Sequence, residues 1–319
     1  MKQALIIGDI MVDEYLFGNV ERISPEAPVP IIKKNKHEYR AGGAGNVAKN
    51  LLSTGTPIKL ISIIGKDEKG TILKKIIPKK NRYFIETKRP TITKTRFLAK
   101  QQQLLRVDEE ETSPFDKKIN NDLIKAIKKE APKSKLILIS DYGKGMINKQ
   151  TMNAIKEEGR KNNLPIFVDP KKPNFELYKE TYLITPNAKE ASEMINTPID
   201  KIDFEKAGKQ IAEEYAIKNV IITRGEEGMS IQLQGETPRH FKATNHAVYD
   251  VTGAGDVVIA TIVKSFMKGI ALRDACEIAN YAAGISVEKI GTTSISKEEL
   301  KKVTREKNQR IYQIIKKTY

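Results

Sequence analysis

One repeated order restricts the fold of this chain more than any other feature: a short apolar run, a polar or glycine-bearing loop, then a helical pattern. Lys135–Ser140 leads into Asp141-Tyr142-Gly143-Lys144-Gly145, and a helical segment runs from about Lys149 to Asn162. Pro165–Asp169 is followed by Pro170-Lys171-Lys172-Pro173, and Tyr182–Thr185 by Pro186-Asn187-Ala188-Lys189-Glu190. After another helical stretch, Asn219–Thr223 runs into Arg224-Gly225. Strands that alternate with helices in this way demand a mostly parallel sheet with helices on both faces. Ligands of such sheets bind beyond the carboxyl ends of the strands. Ala4-Leu5-Ile6-Ile7-Gly8 reads as the first buried strand, which puts Asp9 and Asp13 at that mouth. There they could accept hydrogen bonds from a ligand's hydroxyls, or simply cap the loop.

Near the carboxyl end, Tyr249-Asp250-Val251-Thr252-Gly253-Ala254-Gly255-Asp256 turns through two glycines into the apolar run Val257–Val263, a buried helix by its pattern. Glycines at 253 and 255 permit a sharp turn and close approach to a ligand. The first helical turn presents unpaired N–H groups and the positive end of the helix dipole, a place for phosphate. Asp256 sits beside that place, positioned to take a proton from an attacking hydroxyl while the amides hold negative charge. Taken alone, Asp256 also reads as a helix-start acid and Asp250 as a turn former.

The chain has 319 residues, 39% of them hydrophobic, enough for one large α/β domain with an appendage or for two modest domains. No apolar run reaches the length that spans a bilayer. The start of the chain is too short in its apolar part for a secretion signal, so a cytoplasmic protein is expected. The single cysteine, Cys276, excludes an internal disulfide and a cysteine-rich metal cage. A net charge of +16 raises nucleic acid as a partner. The lysines are nevertheless scattered and often beside glutamate, as in Lys156-Glu157-Glu158, and no nucleic-acid-binding motif is present. The charge is read instead as a solvated surface that attracts phosphorylated small molecules, with no nucleic-acid and no membrane partner.

Gly42-Gly43-Ala44-Gly45-Asn46-Val47-Ala48 opens a helix and mimics a dinucleotide fingerprint, but the polar stretch Lys33–Arg40 stands where the required hydrophobic strand should be. Three prolines in Gly18–Ile32 exclude a helix interior and a central strand. With the alternating pattern of Thr91–Leu98, that segment suggests a small β-sheet lid formed by about 14–40 and 82–107. Asn187 and Glu190, three apart at a helix start, fit an N-cap with its capping-box partner. Asn280-Tyr281-Ala282-Ala283-Gly284 fits close packing, against a core or an adenine ring. Ser296–Lys317 reads as a closing, charged surface helix.

Together these segments resemble the ribokinase-like (PfkB-type) sugar kinases over essentially the whole chain, read as a single kinase domain, 1–319. The resemblance implies a three-layer α/β/α fold with a mostly parallel sheet and a small β-sheet lid, and a phosphotransferase using ATP and Mg2+. It implies Asp256 as catalytic base and the Gly253, Ala254 and Gly255 amides as anion hole. Asp9, Asp13, Gly42, Gly43 and Asn46 would bind sugar. Asn187 and Glu190 would organise magnesium, Glu190 as its carboxylate, through water if need be, and Thr223, Arg224, Gly225, Gly228 and Asn280 would serve the nucleotide. A monovalent cation such as K+ is implied near Asp250, Thr252 and Gly291. Arg22–Pro30, Thr93–Arg96, Gln102–Asp108, Ser140–Gly145 and Val248–Asp256 resemble the branch that phosphorylates D-glycero-β-D-manno-heptose 7-phosphate at O1, in the route to ADP-heptose and lipopolysaccharide. Another sugar or sugar phosphate is the nearest alternative, and a non-catalytic regulator the further one. Val257, Gly45 and Gly143 depart from that branch, which usually has threonine, alanine and alanine there. Arg96, Arg106, Lys144, Lys171 and Lys172 are candidates for the distal phosphate. No His-x-Gly-His motif is present, so a separate nucleotidyltransferase is expected to act later. A homodimer through the lid is a further expectation.

Overall fold

The structure, a computed structural model, describes residues 2–100, 102–244, 250–289, 291 and 294–319. Gln101, Val248 and Tyr249, which belong to segments singled out above, lie outside the described residues. In chain order the first half comprises β1 (Gln3–Gly8), β2 (Ile10–Ile23), β3 (Pro30–Gly43), α1 (Ala44–Ser53), β4 (Ile58–Gly65), α2 (Glu68–Ile76), β5 (Arg82–Thr87), β6 (Thr93–Ala99), β7 (Gln102–Glu109) and α3 (Lys117–Glu130). There follow β8 (Ser134–Ser140), α4 (Lys149–Lys161), β9 (Ile166–Asp169), β10 (Leu183–Ile184), α5 (Ala188–Met194), α6 (Phe204–Glu214) and β11 (Asn219–Thr223). The chain closes with β12 (Met229–Gln232), β13 (Arg239–Phe241), α7 (Ala254–Met267), α8 (Leu272–Ser286), α9 (Lys297–Lys307) and α10 (Gln309–Thr318).

Nine strands form the main sheet in the order β13-β12-β11-β10-β9-β8-β1-β4-β5, parallel from β5 through β11 and antiparallel at the β12–β13 edge. Alternation along β1 explains the three layers. Ala4 and Ile6 face a core shared with α1, α2, α7 and α8, whereas Leu5 and Ile7 face a second core built on α3, α4, α5 and α6. Each such fully buried Leu or Ile contributes about 1.5–3 kcal/mol by leaving water. The strand order reverses between β1 and β8, whose carboxyl ends pair Gly8 with Ser140. That reversal opens a crevice at the end of the sheet, and the amino end of α7 comes to it.

A second sheet, in the order β3-β2-β6-β7, stands off the first. β2 pairs antiparallel with β3 and parallel with β6, and β6 pairs antiparallel with β7. Only Asp9 separates β1 from β2, so one continuous stretch of chain leaves the main sheet and enters the small one at the crevice. The expected span 82–107 divides differently: Arg82–Thr87 extends the main sheet beside β4, and the small sheet takes up only from Thr93. Ile85, buried at the main sheet's edge, accounts for the difference, because it packs with the core under α3.

The closing segment is two helices rather than one. Asn308 adopts an extended conformation (φ −157°, ψ 93°), and its side chain accepts from the Ile311 amide. It thus ends α9 and caps α10, letting Leu300, Ile311 and Ile315 pack together against α8. No helix among the described residues is long and apolar enough to cross a membrane.

Candidate active site

The amino end of α7 is built as its residues dictate. Gly253, the N-cap, holds the left-handed conformation (φ 78°, ψ 9°), which a side chain would strain. Upstream, Asp250 pins the turn: one carboxylate oxygen accepts from the Thr252 amide and the other from that of Gly291, each at 2.8 Å. The Ala254 amide is used inside the turn, donating to Val251 O at 3.2 Å. Among the described residues, no protein acceptor takes the Gly253 or Gly255 amides, which border the cavity. Asp256, the third residue of α7, is only 4% exposed. Its Oδ1 accepts from the Tyr142 phenol at 2.6 Å and its Oδ2 from Asn46 Nδ2 at 2.7 Å. Burial pushes this carboxyl up to about 6, the two hydrogen bonds opposing the rise and the Asp13 charge adding to it.

The crevice holds a cavity of about 180 Å³ whose wall includes Gly253, Gly255, Asp256, Asn187, Glu190, Thr223 and Lys171. These expected site residues converge from four separate stretches of sequence. Asn187 caps α5 and Glu190 returns the bond, with Glu190 N donating to Asn187 Oδ1 at 2.9 Å and Asn187 N to Glu190 Oε2 at 3.0 Å. The other Glu190 oxygen accepts from Lys171 Nζ at 2.9 Å. Burial works against the Lys171 charge, but the bond and charge of Glu190 hold its ammonium above the usual lysine range.

The remaining residues lie outside that wall. Asp9 Oδ2 accepts from the amides of Tyr142 and Lys144 at 3.0 and 3.2 Å, so this carboxylate organises the loop after β8. Asp13 Oδ1 is paired with Arg96 Nη1 at 2.7 Å, and burial nonetheless raises its carboxyl. Gly42 lies against it: a Cβ there would come within 2.2 Å of Asp13 Oδ2, and one at Gly43 within 2.5 Å of the Asp9 carbonyl oxygen. Asn46 is in α1, its amide on Asp256. Lys144 Nζ is paired with Glu110 at 2.7 Å, and Arg106 with Asp108 at 2.9 Å on the exposed strand β7. Arg224 packs over Phe204, bonds Ser230 and His240 and pairs with Glu227, while Gly225 and Gly228 shape the turn around it. Asn280 Nδ2 donates to the Lys242 carbonyl at 2.7 Å.

Among the cavity-wall residues not singled out as site residues in the sequence are three polar ones that follow or end a strand, Asp141, Tyr142 and Asp169. Asp169 ends β9 and is raised well above the usual carboxylate range by burial and by the Asp256 and Glu190 charges. Asp141 follows β8 and accepts from the Tyr178 phenol at 2.6 Å and Asn174 Nδ2 at 2.7 Å. Their signal was the one that drew attention to Asp9, a polar side chain just past the end of a parallel strand.

A cavity of this composition, with a buried carboxylate beside unpaired amides at a helix amino end, suits transfer of an anionic group to a hydroxyl. Comparison with known proteins agrees. The family model for the pfkB family carbohydrate kinases matches residues 1–299. The bifunctional protein HldE of Histophilus somni is 37% identical over 301 residues, covering 93% of this chain and 62% of that relative. HldE of Geobacter metallireducens is 38% identical over 302 residues, with the same coverage. The chain thus spans about three-fifths of the length of these curated relatives. In fold it is similar to phosphofructokinase-2 of Escherichia coli, crystallised in complex with potassium (TM-score 0.80, 16% identity, 99% of this chain and 100% of that one). It is also similar to ribokinase of Thermotoga maritima (TM-score 0.70, 21% identity, 96% and 100%). The fold is ribokinase-like, and the chain belongs to the pfkB family of carbohydrate kinases, phosphotransferases that act on a sugar hydroxyl.

Proposed function

We propose that this chain transfers the γ-phosphoryl group of ATP to O1 of D-glycero-β-D-manno-heptose 7-phosphate, giving the 1,7-bisphosphate and ADP, as a cytoplasmic step toward ADP-heptose. The observation that carries the chemistry is the Asp256 carboxylate set beside the open Gly253 and Gly255 amides at the cavity. The choice of heptose rests on the motifs between Arg22 and Asp256 and on the likeness to HldE proteins. In this reading the O1 proton passes to Asp256 as the O1–P bond forms and the bond from phosphorus to the ADP oxygen breaks. A base near pH 6 is ionised at neutral pH yet close enough to it for effective proton transfer, a contribution of about 10²–10⁴-fold. The amides of Gly253 and Gly255 hold the charge on the group in transfer, and such catalysis is positioning plus electrostatics.

The donor set fits a magnesium ion: Glu190 and Asp169 bring two carboxylates to one wall, and this ion needs only one or two of them beside phosphate oxygens and water. Bound there, it would offset the charge of the ATP phosphates. The carbonyls around Asp250, Thr252 and Gly291 are where a monovalent cation would sit. Thr223 and the Arg224–Gly228 turn border the nucleotide side, and Asp13 with Gly42 and Gly43 the sugar side, under the small sheet as a lid. Ile23, Leu104, Leu105 and Val107 are exposed on that sheet and suit pairing with a second copy. A nucleotidyl-transfer activity would consume the product after loss of one phosphate.

The test is a panel of sugars and sugar phosphates with ATP and Mg2+, read as ADP release and by NMR of the product. The heptose 7-phosphate should give the highest kcat/KM, with phosphate appearing on the anomeric oxygen. A hexose phosphate or pentose turned over faster would assign the same chemistry to another sugar, and no ATP turnover with any acceptor would remove the kinase reading from this site.

A further inference from the structure

The Asp256 carboxylate is gripped on both oxygens, from two different parts of the chain. Asn46 reaches Oδ2 from α1, and Tyr142 reaches Oδ1 from the loop after β8. Neither donor is loosely held. Asn46 is itself bonded on its amide oxygen by Asn50 Nδ2 at 3.2 Å. The backbone of Tyr142 is tied to Asp9, the next amide (Gly143) donates to Asp141 Oδ1 at 2.7 Å, and Asp141 is fixed by Tyr178 and Asn174. A family of buried carboxylates therefore holds one loop, and that loop delivers one phenol.

We infer that Tyr142 is a positioning residue for phosphoryl transfer: its O–H, opposed by the Asn46 amide, locks rotation of the Asp256 carboxylate and leaves its remaining lone pairs aimed at the cavity. The inference rests on Asp256 being the base proposed above. A carboxylate has about four lone-pair directions on two oxygens, and two are taken here, so an acceptor for a sugar hydroxyl remains. Free to spin, the same group would present that acceptor only part of the time, and small misplacements of reacting groups are costly. The phenol stays protonated, because burial and the neighbouring Asp256, Asp169 and Asp13 charges raise it well above the ordinary tyrosine range. It therefore donates and does not compete as a base.

The bond has a second consequence, because it favours the ionised carboxylate. The groups that face Asp256 are Tyr142 from the β8 loop, Asn46 from α1 and Asp13 from β2, with Asp169 facing it from the end of β9. Asp13 is paired with Arg96, and Asp169 lies near Lys171 and Glu190. None of these is altered by removing one phenolic oxygen. In Tyr142→Phe, the acidic limb of kcat/KM for the sugar should move to higher pH, by about one unit for loss of one charge-assisted bond. At the alkaline plateau kcat should fall by about tenfold, with KM for ATP unchanged. Replacing Tyr142 by 3-fluorotyrosine, a stronger donor in the same shape, should move the limb the other way. Asp256→Asn is measured beside them. If it is inactive while both Tyr142 replacements leave the limb within about 0.3 pH unit of the parent, Asp256 stands as the base and the positioning role of Tyr142 is refuted. If Asp256→Asn keeps full turnover, the base reading fails and the inference falls with it. Opposite shifts of the limb in the two variants support it, since a merely structural tyrosine would lower activity without moving the profile.

Discussion

Arg96→Met should destabilise the protein in a strongly pH-dependent way. Arg96 and Asp13 form an ion pair at 2.7 Å with side chains only 9% and 5% exposed, where the small sheet joins the crevice. Removing one partner of a buried pair strands the other charge, at about 3–5 kcal/mol. Lys94 and Arg40 still face Asp13 and partly offset the loss, so we expect the lower end, about 3 kcal/mol at pH 8. The sign follows from Asp13, whose folded carboxyl already lies above its ordinary value because burial outweighs Arg96. Without Arg96 it rises further. A carboxyl raised in the folded state costs stability only when ionised: the penalty is absent below the unfolded value near 4 and complete above the folded one. The deficit should therefore shrink steadily as pH falls from 8 toward 5. Urea unfolding followed by circular dichroism reads it; with an m-value of about 3 kcal/mol per molar, the midpoint should fall by about 1 M at pH 8. Adding Asp13→Asn should restore part of the loss at pH 8, because the stranded charge is gone. A midpoint shift that is equal at both pH values, or below about 0.3 M at pH 8, would refute the reasoning.

Gly42→Ala places a Cβ within 2.2 Å of Asp13 Oδ2, which Arg96 prevents from swinging away, so KM for the sugar should rise by about tenfold or more while ATP affinity is kept; isothermal titration with each substrate distinguishes the two. Asn308→Ala removes the cap of α10 and a 2.6 Å bond to Glu277, and should cost about 1 kcal/mol in thermal or urea unfolding with kcat unchanged. Asp169→Asn should raise the Mg2+ concentration needed for half-maximal activity by about 10-fold, measured by metal titration at saturating ATP; an unchanged requirement would take Asp169 out of metal binding.

The architecture was legible because β-loop-α order is written locally. Each buried strand is a short apolar run, and each ends in a residue that cannot continue it, so the sheet and its ligand-bearing edge follow. The turn at Gly253–Asp256 was legible for the same reason, since glycine, aspartate and an apolar helix are neighbours in sequence. What escaped depends on contacts between distant residues. Nothing near Tyr142 in sequence reveals that its phenol meets an aspartate 114 positions away. The lysine and arginine candidates for a distal phosphate looked alike in sequence, and only their partners separate them: Lys144 on Glu110, Arg106 on Asp108, Arg96 on Asp13 and Lys171 on Glu190. Asn308 looked like one polar residue in a charged helix, yet the shared core of Leu300, Ile311 and Ile315 demands a bend there. The strand at Arg82–Thr87 was assigned to the smaller sheet because its pattern resembles its neighbours, whereas its place is decided by pairing with β4.

Whether Asp256 takes the proton from the acceptor sugar decides the proposed mechanism. The most direct measurement is single-turnover ADP formation by purified Asp256→Asn with saturating ATP, Mg2+ and the best acceptor from the panel, beside equilibrium ATP binding to the same protein. We predict a rate lower by about 10²–10⁴-fold, with ATP affinity within about threefold of the parent. A rate within about threefold of the parent would contradict it.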